Sequence, residues 1–289
     1  MTVKAILTRA TGYLGGDVLY QLHQRYPDFH YVLLIRTQDK AKNVLARCLK
    51  ARIVIGSNDD SALLEREAAW ANTVIHTADS SDHDGAAKAI AKGLLHTGGA
   101  GILTYFDSEV KKTFGEHADA VKTAIICLPR IHGEGRGLIS GRGRQVYELA
   151  SFGLKEQYYH RIGKGLSRWK NVHIHVAINP SLKGDPQIWG VHGYYFTENG
   201  EHVRGDLSVA VGEKAFNQEY IKGGGSRASG WSIKEVVKSS AGFEAASWSM
   251  TSHGVAARAK KVLSWKQEER SLSDELPDII RSEAARMGL

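Results

Sequence analysis

An α/β fold built on a doubly wound parallel sheet is predicted by three observations. Short strand-like apolar runs alternate with helical patterns through the first half of the 289-residue chain, the order that builds parallel sheets. The first run passes directly through a glycine-bearing turn into a helix. The second, His30–Ile35, is continuously apolar, as a strand buried on both faces requires.

The opening element carries the most information. Lys4–Thr8 reads as a strand and Arg9, Ala10, Thr11 and Gly12 as a tight turn. A helix follows, with Val18, Leu19 and Leu22 at helical spacing opposite polar Asp17, Gln21 and Gln24. Strand, turn and helix N-terminus in this order can seat a dinucleotide pyrophosphate. Backbone N–H groups and the positive end of the helix dipole face the anion, and Gly12 and Gly15 let the backbone come near.

The remaining elements follow from pattern and punctuation. Residues 39–49 read as a helix and Arg52–Ile55 as a third strand. Residues 61–71 read as a helix started by Asp59 and Asp60, and 73–78 as strand four. The Ala-rich stretch 84–95 reads as a helix, leaving little room for a fifth strand before His96, and 121–128 as a later strand closed by Pro129. A glycine-rich loop at 133–143 leads to a helix at Gln145–Glu156. Asn179 and Pro180 break the chain, 193–196 reads as a strand and 223–226 as a surface loop. Amphipathic helices are expected at 256–263 and 274–287, the last opened by Ser271 or Ser273. Trp231, Trp248 and Trp265 are expected to pack these helices. The division is residues 1–177 as a dinucleotide-binding domain and 178–289 as a smaller substrate or lid region that interleaves with it.

Composition narrows the class. A hydrophobic content of 42% and a charged content of 24% are ordinary for a soluble domain. No apolar run approaches the ~18 residues of a membrane span, and the N-terminus lacks a signal-peptide pattern. Cys48 and Cys127 form no disulfide framework or zinc pattern, so a cytoplasmic location is expected. The net charge of +7 is spread along the chain without a nucleic-acid-binding motif, and nucleic acid is not expected as a partner. His173 and His175 alternate in a short run, but sequence spacing offers them no third ligand, so no metal is expected.

The run from Thr8 to Gly16 resembles the T-G-A-T-G-Y-I-G-G loop of extended and atypical short-chain dehydrogenases/reductases, the superfamily of the NAD-dependent epimerases/dehydratases and NmrA-like proteins. The resemblance continues at His76, Thr77 and Ala78 at the end of strand four, and at His96 to Gly101. It extends to Leu128-Pro129-Arg130-Ile131-His132-Gly133, to Gly163 through His175, and to Ser264-Trp265-Lys266. It implies cofactor contacts from Thr8, Arg9, Thr11, Gly12, Tyr13, Leu14, Gly15, Arg36, His76, Thr77 and Ala78. Arg9 departs from the pattern, standing where the first glycine belongs. A side chain there costs about 1–3 kcal/mol if φ is forced positive. Two readings stay open: Arg9 leans over the adenosine phosphate, or the substitution is a lesion. No acidic residue ends strand two. Arg36, with Lys40 or Lys42, leans toward the 2′-phosphate of NADP, while Asp39 keeps NAD open.

The match fails in the catalytic core. In this superfamily a Ser or Thr polarises the substrate oxygen and a Tyr-x-x-x-Lys pair moves the proton, but no tyrosine here has lysine four residues later. Gly98 stands at the expected Ser position, leaving Thr97 and Tyr105 as candidate catalytic hydroxyls. The family member reads as shortened in several places. The resemblance implies an NAD(P)-dependent oxidoreductase or epimerase-like protein acting on a carbonyl or sugar-like substrate, catalytically impaired if nothing replaces the missing pair. The rival reading is a non-catalytic NAD(P)-binding regulator of the NmrA-like kind, and a homodimer or protein partner stays open in both.

Overall fold

The early apolar runs become the interior of a parallel sheet. The computed structural model describes residues 3–47, 50–78, 83–90, 94–98, 124–176, 188–189, 192–222, 230–239 and 242–289. The first six strands are β1 (Lys4–Thr8), β2 (His30–Ile35), β3 (Arg52–Ile55), β4 (Thr73–His76), β5 (Leu94–Gly98) and β6 (Ala124–Cys127). Later come β7 (Arg130–His132), β8 (Arg161–Ile162), β9 (Arg168–His173), β10 (Tyr194–Phe196), β11 (Gly200–Val203) and β12 (Gly230–Trp231). The main sheet has the order β3-β2-β1-β4-β5-β6-β10, and every neighbouring pair is parallel. The order reverses beside β1, so the C-terminal ends of β1 and β4 open a crevice where doubly wound sheets take ligands. Small sheets β11-β9-β7 and β12-β8 flank it.

The helices are α1 (Tyr13–Arg25), α2 (Gln38–Leu45), α3 (Ser61–Trp70), α4 (Asp84–Ala89), α5 (Gln145–Glu156), α6 (Arg204–Asn217), α7 (Ile233–Lys238), α8 (Ala257–Val262) and α9 (Leu272–Met287), with a 3₁₀ helix at Gly242–Ser249. Asp60 caps α3 by accepting the Leu63 N–H at 2.9 Å. Ser271 opens α9 in a capping box with Asp274, a device worth about 1 kcal/mol. Among the described residues no helix is long and apolar enough to cross a membrane.

Two apolar layers sandwich the sheet. Leu7, Leu33, Ile35 and Ile75 pack on one side with Leu19 and Val44. Ile6, Val32, Leu34 and Val74 pack on the other with Leu64, Ala68, Ala86 and Ile90. A third core joins α5, α6 and α9 through Val146, Phe152, Leu207, Val211, Leu276 and Ile280, with Trp248 buried in it and Trp231 against it. Trp265 packs instead beside Ala259 of α8 and Ile126 of β6.

Several boundaries differ from the sequence expectation. The helix expected over 84–95 ends at Ala89, and Leu94–Gly98 is a strand. The backbone of β5 pairs with β4 on one side and β6 on the other. A helix in that slot would leave two rows of buried backbone groups unpaired, a cost that exceeds the alanine preference for helix. Strand four stops at His76 rather than residue 78, and of the strand expected over 121–128 the structure shows Ala124–Cys127, with Leu128 beyond its end and 121–123 outside the described residues. The 39–49 helix runs over Gln38–Leu45, and Cys48 and Leu49 lie outside the described residues, as does the loop 223–226. Asp17, expected on the polar face of α1, is fully buried.

Arg9 adopts φ = +55°, the left-handed region in which an L side chain is strained. Arg9→Gly is therefore expected to raise stability by about 0.5–1 kcal/mol, the removed strain being partly offset by glycine's larger loss of chain entropy. Urea denaturation checks this, and a destabilised variant would show that the arginine side chain holds the turn.

Candidate cofactor and active-site cleft

The turn after β1 is tied from below. Thr77 donates its hydroxyl to the Thr8 carbonyl at 2.8 Å and its N–H to Thr8 Oγ1 at 3.3 Å, while Thr8 Oγ1 lies 2.9 Å from His76 Nδ1. These bonds lock the ends of β1 and β4 together. Above them, the Gly12 N–H donates to the Arg9 carbonyl at 2.9 Å. Helix α1 then starts with no side-chain cap bond on Gly12 and no acidic residue in its first turn. Among the described residues, neither a cap side chain nor a first-turn carboxylate meets its opening N–H groups and positive dipole end. Gly15 is required by sterics: a Cβ would stand 2.2 Å from the Arg9 carbonyl oxygen and 2.6 Å from Thr77 Oγ1.

The opposite wall is the loop 133–143, held down by buried polar contacts. Asp17 accepts two side-chain bonds from Arg136 at 2.8 Å and the Arg136 N–H at 3.1 Å. Burial alone would raise the Asp17 carboxyl, but the bonds from Arg136 and Gln21 overcome it and hold the group below the ordinary carboxylate value. The carboxylate therefore stays ionised against its arginine. Glycines allow the approach, since a Cβ on Gly16 would lie 2.8 Å from Gly137 Cα. Tyr13 and Tyr147 donate to the same Gly133 carbonyl at 2.5 and 2.8 Å. Burial pushes both phenols up, keeping them protonated as donors. Arg142 is clamped between Glu283 at 2.6 Å and Glu148 at 2.7 Å.

These walls enclose a cleft of about 800 Å³. Of the residues expected to bind cofactor, it brings together Arg9, Thr11, Gly12, Tyr13, Leu14, Gly15, Arg36 and Thr77. Thr8 and His76 lie beneath the turn as buried supports, and Ala78 is buried without lining the cleft. Thr97 is a backbone position of β5 paired with Ile126, and Tyr105 lies outside the described residues. Arg9, Thr11 and Arg36 also border an adjoining cavity of about 320 Å³ with Ser57, Asn58, Asp59 and His83.

The far end of the cleft comes from residues that sequence reasoning did not assign. Leu128, Pro129 and Ile131 lie on the segment after β6, Trp169 on β9 and Ser247 on the 3₁₀ helix, with Ile139, Ser140, Arg142, Arg144 and Gln145 from the loop and the start of α5. The family-like segments at 128–133 and 163–175 were signals for the first four. Ser247 had none.

Similarity to known proteins agrees with this architecture. No family model matches the sequence. An oxidase of Acremonium sp, ucsJ, is 31% identical over 360 aligned residues that take in all of both chains. The chain belongs to the family of this oxidase, and its fold is that of the NAD-dependent epimerases/dehydratases. Its 289 residues against 360 aligned positions make it a shortened member. Among solved structures, UDP-glucose 4-epimerase from Thermotoga maritima superposes with a TM-score of 0.67 at 15% identity, covering 98% of this chain and 99% of that one. UDP-glucuronic acid 4-epimerase from Bacillus cereus gives 0.65 at 13% identity over 96% and 99% of the two chains. The dTDP-glucose 4,6-dehydratase of Bacillus anthracis gives 0.63 at 10% identity over 97% and 96%. At these identities the likeness shows the shared fold of the family.

Proposed function

We propose that the protein is a nicotinamide-dinucleotide-dependent oxidoreductase of the epimerase/dehydratase type, acting on a carbonyl or carbinol substrate. One observation carries this reading. A single cleft joins an uncapped helix N-terminus, with a glycine cradle that a Cβ would fill, to an apolar and aromatic wall at Leu128, Ile131 and Trp169. The first suits a pyrophosphate and the second a substrate body. The relatives point the same way: the Acremonium protein is an oxidase, and the Bacillus dehydratase and 4-epimerase structures are complexes with NAD.

The chain would hold the pyrophosphate with the backbone of Thr11 to Gly15, and the adenosine end with Arg9 and Arg36. A bound nicotinamide supplies hydride exchange with a carbon bearing an oxygen. Thr97 and Tyr105 are the hydroxyls proposed to orient that oxygen and move its proton, in place of the absent Tyr-x-x-x-Lys pair. The neighbours' UDP-sugars make a sugar-like carbinol one substrate class to include. The test titrates NADPH and NADH, then screens aldehydes, ketones and nucleotide sugars for turnover with wild type, Thr97→Ala and Tyr105→Phe. Turnover lost in either variant supports the enzyme. Tight binding with no turnover supports the non-catalytic regulator, and no binding of either cofactor overturns both.

NADP is the proposed preference, because two exposed arginines and Lys40 border the adenosine end of the cleft while Asp39 does not line it. An arginine–phosphate contact is worth roughly 1.5–3 kcal/mol. Arg36→Glu is thus expected to weaken NADPH at least tenfold and NADH far less, measured by fluorescence titration. Equal loss for both cofactors would remove the assignment.

A further inference from the structure

We propose that His173, His175 and Glu269 form a binding site for a divalent transition metal, zinc by preference, in a second cleft beside the C-terminal half of α1. This cleft has a volume of about 140 Å³ and takes Gln21 and Arg25 from α1, Arg136 from the glycine-rich loop, and Trp265 from the segment before α9. It shares no lining residue with the cofactor cleft. The site needs no dinucleotide and stands apart from the proposed oxidoreductase reading.

Three donors converge there. His173 ends β9, His175 follows in the turn, and their rings meet edge to face with centroids 4.5 Å apart. Glu269 arrives from the loop between α8 and α9. One nitrogen of each ring and one carboxylate oxygen of Glu269 lie within 4.8 Å of one another. Zinc–nitrogen and zinc–oxygen bonds of about 2.0–2.2 Å place tetrahedral ligands about 3.4 Å apart. Drawing the donors in therefore takes a shift of about 1 Å each, available to a Glu269 side chain that is 43% exposed.

The hydrogen bonds select the ligand atoms. His175 Nε2 lies 3.0 Å from the Glu134 carbonyl oxygen. A carbonyl only accepts, so Nε2 carries the proton and Nδ1 of the neutral ring is a lone pair. That lone pair faces Glu269 Oε1 at 3.6 Å. A proton or a metal ion on Nδ1 can bridge this pair, and a carbonyl bond on the remote nitrogen is how metal-binding histidines are commonly oriented. On His173, the Nε2 edge is packed against Gly133, where a Cβ would fall 2.1 Å away. Its Nδ1 edge turns toward His175, receiving that residue's N–H at 3.2 Å, a single long contact that a coordinate bond can replace. Two imidazoles and one carboxylate with room for water suit zinc better than magnesium or calcium, which prefer oxygen ligands. The cations of Arg25 and Lys266, which also line the cleft, favour micromolar over nanomolar affinity.

The experiment titrates chelator-treated, tag-free, full-length protein with zinc chloride by calorimetry and reads thermal stability with and without the ion. One equivalent is expected to bind saturably and to raise Tm by several degrees, because the ion joins the end of β9 to the segment leading into α9. Glu269→Gln and His175→Ala should each weaken zinc at least tenfold. Glu269→Gln, whose side chain does not line the cofactor cleft and makes no hydrogen bond to the described loop 133–143, should leave NADPH affinity unchanged. The glutamate is a surface group, so its variant keeps the test valid if the histidine variant fails to fold. Cobalt in place of zinc adds a second readout, visible absorption bands that should shift in Glu269→Gln. No saturable uptake would mean that a proton alone bridges His175 and Glu269. Either that result or unchanged affinity in Glu269→Gln overturns the proposal.

Discussion

Asp17→Ala is expected to lower stability by about 3–5 kcal/mol, the cost of leaving one partner of a buried ion pair without the other. Asp17 is 1% exposed at its side chain and accepts three bonds from Arg136, whose own side chain is only 31% exposed. The alanine variant strands the guanidinium over the Tyr20 ring, where it already sits 4.8 Å from the centroid. A ring face offsets only part of that loss. The same pair presses the loop 133–143 onto α1, and this loop supplies Ile139, Ser140 and Arg142 to the cofactor cleft. Weaker dinucleotide binding should therefore accompany the lost stability. Equilibrium denaturation and NADPH titration measure the two, and a change below about 1 kcal/mol would show the pair to be dispensable.

The second large effect belongs to Gly15. Gly15→Ala places a methyl group 2.2 Å from the Arg9 carbonyl and 2.6 Å from Thr77 Oγ1, neither of which is free to retreat. The Arg9 carbonyl holds the Gly12 N–H, and Thr77 Oγ1 is bonded to the Thr8 carbonyl. The turn must open, misaligning the N–H groups proposed to hold the pyrophosphate. Loss of NADH and NADPH affinity by tenfold or more is expected, with about 1–3 kcal/mol of overpacking cost to the fold. Both cofactors should suffer alike, in contrast to the selective effect at Arg36. Retained affinity for both would show that the pyrophosphate does not sit on this turn.

Sequence alone determined the features that depend on neighbours along the chain. Apolar runs bounded by turns located β1 to β4, Asp60 and Ser271 marked two helix starts, and the glycine loop located one wall of the large cleft. The positive φ of Arg9 was legible too, because a turn that demands glycine imposes the same backbone on whatever stands there.

What sequence could not supply depends on partners that are distant in the chain but adjacent in space. The slot between β4 and β6 turned Leu94 and Leu95, read from sequence as the end of a helix, into the start of a strand. Asp17 read as a solvated helix residue because its partner, Arg136, lies on a loop more than one hundred positions away. Ser247 reaches the cleft from a 3₁₀ helix with no motif, and Glu269 meets His173 and His175 only once the segment before α9 has folded against β9. Local steric and hydrogen-bond rules act between near neighbours and leave a pattern in sequence. Ion pairs, cleft walls and converging ligands are set by packing across elements, and only the tertiary structure decides them.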